Sequence, residues 1–244
     1  GMISSIKYAR EKDIPFFAAY GFFCITVFYF AYMSTVNLMT VSAAAVLLYT
    51  APAFAVVFAY FFLGEAFTKR KLICIFIALA GTFLVVEGYD IGALRLNSLG
   101  IVTGLVSGAS FGCYGIFGRK GLTNYHFWTV VFYSLIFGTF FMGLLLIPVG
   151  YSVPFTFPAI SSLIYLSLVS TLIAYILYNV GLRTVEAGPA SIVATVEVVV
   201  AALLGIVFLK ETLNIWQGLG IALVLLASIM IQKKEKAYSE ELQA

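Results

Sequence analysis

Apolar stretches long enough to cross a bilayer as helices recur eight times along the chain, each closed by charge, Gly, Pro or Asn. They fall at about 14–36, 40–63, 71–88, 97–118, 126–148, 159–182, 188–209 and 213–231. Short connections leave no room for a soluble domain, and the polar tail at 232–244 is expected to be solvated. The pattern predicts an all-α polytopic membrane protein of eight transmembrane helices in one domain.

Composition removes the soluble alternatives. Hydrophobic residues make up 62% of the 244 and charged residues 10%, against about 25% charged in soluble domains, so no water-facing surface can be assembled. The lipid bilayer is the first partner. A net charge of +3, from 14 basic and 11 acidic residues, is too slight to point to nucleic acid. Cys24, Cys74 and Cys113 lie in three separate apolar stretches without paired spacing, which reads as small core residues and not as a disulfide framework or metal site. No cofactor is expected. The amino-terminal run from Ile6 to Asp13 carries no cleavable signal pattern.

Where the charges lie matters more than their sum. Alternate connections hold Lys7, Arg10 and Lys12, then Lys69, Arg70 and Lys71, then Arg119 and Lys120, then Arg183, then Lys233, Lys234 and Lys236. The remaining connections hold only Arg95 and Lys210. Lys and Arg accumulate on the cytoplasmic side, so this split predicts eight spans with both termini cytoplasmic.

Sliding the sequence on itself by 146 positions aligns the first three apolar segments with the last three without a gap. The matches include Tyr29 with Tyr175, Tyr32 with Tyr178, Ala44 with Ala190, Ala55 with Ala201, Leu63 with Leu209, Glu65 with Glu211, Ile75 with Ile221 and Leu79 with Leu225. The sixth segment follows the first by five spans, so the two copies enter the membrane in opposite directions. Such inverted-topology repeats are a construction principle of secondary transporters, whose halves rock about a site near the midplane.

The stretch from Val41 to Pro52, followed by Phe62-Leu63-Gly64-Glu65-Ala66-Phe67-Thr68, resembles the EamA-type family of the drug/metabolite transporter superfamily. Its second copy is Gly188-Pro189-Ala190-Ser191, Glu197, Leu209-Lys210-Glu211-Thr212-Leu213 and Gly218-Leu219-Gly220. The resemblance covers nearly the whole chain. It implies two inverted five-helix repeats, ten spans in all, export or import of metabolites such as amino acids, and residence in a bacterial cytoplasmic membrane. Two departures stand out. Where the family commonly has Glu-Pro this chain has Glu197-Val198, without the proline that would kink the helix. The resemblance also implies two further helices, which the 146-residue offset would place in about 50 residues before Gly1. On this reading 1–96 is a truncated first repeat, 97–231 the second repeat and 232–244 a cytoplasmic tail. A fragment, a natural short form, and a short form completed as a homodimer all remain open.

Chemistry must come from polar groups inside the bilayer, where they are costly. Glu197, mid-segment, reads either as a substrate-binding or proton-carrying carboxyl or as a neutral carboxyl bonded to a neighbouring helix. Pro52 lies one position from its repeat counterpart and frees the Leu48 carbonyl, for substrate or simply for a bend. Thr50 belongs to the same stretch. Tyr29, Tyr32, Tyr175, Tyr178 and Asn179 share faces at spacings of three or four, as a cavity lining or as interfacial belts. Gly100, Gly104, Gly108 and Gly112, and Ala51, Ala55 and Ala59, read as packing stripes. Glu65 and Glu211 read as hairpin residues, Thr68 and Asn214 as helix N-caps, and His126 as an interfacial anchor.

An enzyme would need a nucleophile–base pair or metal cluster, and the chain has one histidine and no second acid near Glu197 in sequence. It is therefore expected not to be one. A channel would more often show rings of charge or a filter loop. The expected function is secondary transport of a small organic solute by alternating access. The alternatives are a channel, a receptor or structural membrane protein without transport, or an inactive fragment of a ten-helix transporter.

Overall fold

The computed structural model describes residues 9–90, 97–147, 156–210 and 212–241. Eight helical rods follow one another: α1 Glu11–Leu38, α2 Val41–Leu63, α3 Lys69–Val85, α4 Ser98–Leu122, α5 Phe127–Leu146, α6 Phe157–Gly181, α7 Ala187–Phe208 and α8 Ile215–Glu241. Among the described residues there is no strand. Seven rods are long and apolar enough to cross a membrane. The exception, α3, has 17 residues, about 25 Å of helix. It stops short of the expected end at 88 because Glu87 takes a left-handed φ of 57°, which ends the helix.

The helix starts follow local chemistry. Thr40, Thr68 and Asn97 each accept a hydrogen bond from the amide three residues on, capping α2, α3 and α4. Asn214 accepts from the Gln217 amide while Gln217 accepts from the Asn214 amide, a reciprocal capping box. Both expected caps, Thr68 and Asn214, are formed. His126, read as an anchor, occupies the N-cap position of α5.

Features 144 to 146 residues apart recur in the rods. Wider π turns interrupt α1 at Phe22–Val27 and α6 at Leu166–Ile173. Gly64 and Lys210 close α2 and α7 in left-handed conformations, with φ of 68° and 56°. α2 breaks at Tyr49 and Thr50, and α7 at Thr195. At both breaks a threonine hydroxyl donates to the carbonyl three residues back, Thr50 to Leu47 at 2.6 Å and Thr195 to Ile192 at 2.7 Å. A hydroxyl that competes for a helix carbonyl loosens the helix there. The missing proline after Glu197 therefore does not leave α7 straight.

α4 is the centre of the bundle, and its glycine stripe is the reason. A Cβ at Gly112 would lie 2.8 Å from the Ala51 carbonyl oxygen and 3.0 Å from the Ala55 amide, and one at Gly108 would lie 2.6 Å from the Thr50 hydroxyl. Ala51, Ala55 and Ala59 are correspondingly buried, so α2 and α4 pack backbone to backbone. Replacing Gly112 with Leu should cost about 1–3 kcal/mol by overpacking, read as a lowered unfolding midpoint in detergent. Gly143→Leu should leave the midpoint unchanged, since nothing lies within 4 Å of a Cβ there.

α3 and α8 pack along each other antiparallel. The Arg70 guanidinium reaches the Met230 carbonyl at one end, Gly81 meets Gly220 in the middle, and Gln217 donates to the Val85 carbonyl at the other. Cys24 and Cys74 are buried and Cys113 half-buried, all with free thiols. Large apolar side chains such as Phe61, Phe62, Phe76 and Phe208 stand exposed around the bundle, a surface that requires lipid. α6 has no buried residue from Phe157 to Ile173, whereas α1 packs against α4 and α5.

Tertiary contacts gather the basic connections at one end. The Arg10 amide and the Asp13 carboxylate both bind the Tyr125 hydroxyl. Arg119 donates to the Leu182 and Val185 carbonyls, and Lys71 pairs with Glu186 at 2.7 Å. At the opposite end Asn214 binds Glu87 and Tyr89.

Candidate functional site

α1 and α6 each resume regular α geometry just after their π turns, and at that point each presents a pair of tyrosines. Tyr29 and Tyr32 come from α1, Tyr175 and Tyr178 from α6. A π turn inserts one extra residue and rotates the helix face that follows. The rotated faces meet, and the Tyr29 hydroxyl pairs with Tyr175. α4 supplies Phe111 and Tyr114 between them. Phe28 lies 5.2 Å from Phe111 and 6.2 Å from Tyr32, ring centre to ring centre. Tyr114 lies 4.8 Å from Tyr175 and 5.8 Å from Tyr178.

Glu197 closes this aromatic ring. It lies midway between Ala187 and Phe208, about 15 Å along the helix from either end and so near the centre of a 30 Å hydrocarbon core. The break at Thr195 precedes it by two residues, and its carboxyl meets the Tyr49 hydroxyl at the matching break in α2. Its side chain is exposed to the cavity instead of being packed. The cavity measures about 310 Å³, and Glu197 shares it with Tyr29, Tyr32, Tyr175 and Tyr178, and with Leu48 and Ser170. A small recess beside it joins Glu197 to Tyr49, Pro52, Ser191 and Thr195. A larger groove of about 570 Å³ between α5 and α6 is lined by apolar and aromatic side chains and Thr139; it lacks the convergent polar groups that fix a solute.

Of the residues singled out from the sequence, Glu197 and four tyrosines line one cavity and Pro52 lines its recess. Thr50 and Asn179 do not reach it. The Thr50 hydroxyl is held by Leu47 at the α2 break. Asn179 is fully buried behind the wall and donates to the Tyr114 hydroxyl at 2.7 Å and the Tyr175 carbonyl at 2.9 Å, so it orients Tyr114. Tyr49, Tyr114, Phe28 and Phe111 do not stand out from the sequence pattern. Tyr49 carried a signal, since it adjoins Thr50 three residues before Pro52.

Glu65 has a larger part than its hairpin position suggests. Its carboxylate accepts from the Ala187 amide at 2.7 Å and the Gly188 amide at 3.1 Å, at the start of α7. Anionic groups are favoured there by the helix dipole. Lys71 pairs with Glu65 at 3.2 Å and with Glu186 at 2.7 Å, its own side chain 7% exposed. These contacts tie the α2–α3 hairpin to the α6–α7 connection at the basic end. Glu211 lies outside the described residues.

The model of the EamA-like transporter family matches residues 2–87 and 98–232. An uncharacterized transporter of Archaeoglobus fulgidus is 27% identical over 84% of this chain and 72% of its own. One of Clostridium kluyveri is 26% identical over 96% and 78%. A crystal structure superposes with a TM-score of 0.78 at 17% identity, covering 91% of this chain and 77% of that one, a likeness of fold. With both matched stretches spanning nearly all of its helices, the chain belongs to the EamA-like transporter family.

Proposed function

We propose that the chain is a secondary transporter that moves a small organic solute by alternating access, with the Glu197 cavity as its binding site. The observation that carries this reading is a single carboxyl at mid-span, beside two helix breaks, inside an aromatic cavity of solute size. Intramembrane acids are expensive and mark solute or proton paths. Unwound helix segments at the midplane free backbone groups for a ligand.

An inverted repeat relating α1–α3 to α6–α8 is supported by the paired π turns, breaks, left-handed ends and caps, and by the antiparallel run of α3 against α8. One offset is refined: the breaks correspond at 145 residues, which makes Pro52 the counterpart of Glu197. The closed basic end, tied by Glu65, Lys71 and Glu186, would be the gate that opens when the halves rock. We assign that end to the cytoplasm, with eight spans and both termini inside. A cysteine placed in the tail should then react with an impermeant maleimide only after cells are broken open; labelling in intact cells would refute the assignment.

The functional test is solute uptake into proteoliposomes across a panel of metabolites and amines. A transporter gives uptake that saturates with concentration. Uptake rising linearly to millimolar solute would instead support a channel.

A further inference from the structure

The described cavity wall holds an acidic side chain and no basic one. Glu197 is its carboxyl, and among the described lining residues of the cavity and its recess there is no Lys, Arg or His. The titratable groups that face it are hydroxyls: Tyr49 from α2, Tyr29 and Tyr32 from α1, Tyr114 from α4, and Tyr175 and Tyr178 from α6. The rings of these tyrosines, with Phe28 and Phe111 against the first pair, make about half of the cavity lining aromatic; Met33, Leu48, Ser170, Ala174 and Ala194 complete it. Resting on the transport reading above, we propose that the site takes an organic monocation, an alkyl- or aryl-ammonium, in one-for-one exchange for a proton on Glu197.

Two parts of the wall favour such an ion. Aromatic faces attract a cation held within about 6 Å of the ring centre, most strongly where water is excluded. The carboxyl supplies the counter-charge. A charged carboxylate is costly in this setting unless something neutralises it, and the cavity offers one place for the neutraliser. A proton can occupy it as the carboxylic acid, or an ammonium can occupy it as an ion pair, but not both. Loading therefore breaks the O–H bond of the Glu197 carboxylic acid: the arriving ammonium pairs with the carboxylate that remains, and the proton leaves to the face from which the cation came. Unloading on the other face is the reverse, with a proton taken from that side. One cation crosses one way and one proton the other, and no net charge moves. An anionic solute would meet a fixed negative charge with no basic partner. A zwitterion would satisfy its ammonium and strand its carboxylate among tyrosine hydroxyls.

Charge exclusion can be separated from failure of transport in one experiment. The purified chain is reconstituted in liposomes that are acidic inside and contain trapped pyranine, and benzyltrimethylammonium is added outside. This quaternary ion cannot carry protons by itself. The expected result is saturable alkalinisation of the lumen with one proton released per cation taken up, at the same rate under valinomycin clamps of zero and inside-negative potential. Glu197→Gln should weaken cation binding by at least about 30-fold, the loss expected when one member of a buried charge pair is removed. Glu197→Asp, which keeps the charge, should retain exchange. Saturable uptake of L-phenylalanine or a neutral solute with no proton release by benzyltrimethylammonium would overturn the cation assignment and leave the transporter standing. Absence of saturable flux for every probe would overturn both.

Discussion

Replacing Lys71 with Met should sharply destabilise the protein. The ammonium sits between Glu65, whose side chain is 6% exposed, and Glu186. Removing it leaves a buried carboxylate with only the Ala187 and Gly188 amides to hold it. Breaking a buried pair by deleting one partner costs about 3–5 kcal/mol, much of it the penalty for the charge left behind. The expected reading is a large drop in the unfolding midpoint in detergent and a poor yield of folded protein. Removing both charges, as Glu65→Gln with Lys71→Met, should recover part of the loss, because the orphaned charge is gone. A Lys71→Met protein as stable as the wild type would show that the ions do not hold this end together.

Glu197→Gln should do the opposite: leave folding intact and change function. The amide keeps the shape and can still hydrogen-bond Tyr49, which lies at the matching break, so little packing is disturbed. What it removes is the capacity to alternate between a charged and a neutral form. Transport in the variant should fall, and what remains should no longer respond to pH across the range where the wild type does. Wild-type rates with an unchanged pH profile would make Glu197 a structural residue.

The sequence carried the tyrosine pairs because two signals coincide there. A spacing of three puts each pair on one face, and the 146-residue offset repeats that face on a second helix. Glu197 was legible for a simpler reason: a mid-span charge stands out against apolar neighbours. Asn179 misled, because its spacing of four from Tyr175 suggests a shared face, whereas its side chain is buried behind the wall against Tyr114. The breaks were half-legible. Pro52 announces one, whereas the other depends on which hydroxyl captures which carbonyl, and threonine in a helix often captures none. The tie between Glu65 and α7 had no local signal, since its partners lie more than 120 residues away. Nor could hydropathy foretell the bare flank of α6. Lipid-facing and helix-facing positions in a membrane are equally apolar, so the pattern that marks a span does not say what covers it.

Alternating access is tested by trans-acceleration in proteoliposomes. Vesicles are loaded with unlabelled solute, and entry of the same labelled solute is compared with entry into empty vesicles. A carrier whose cavity opens to one face at a time returns faster when loaded, so entry should be accelerated in the wild type and not in Glu197→Gln. Equal entry into loaded and empty wild-type vesicles would contradict it.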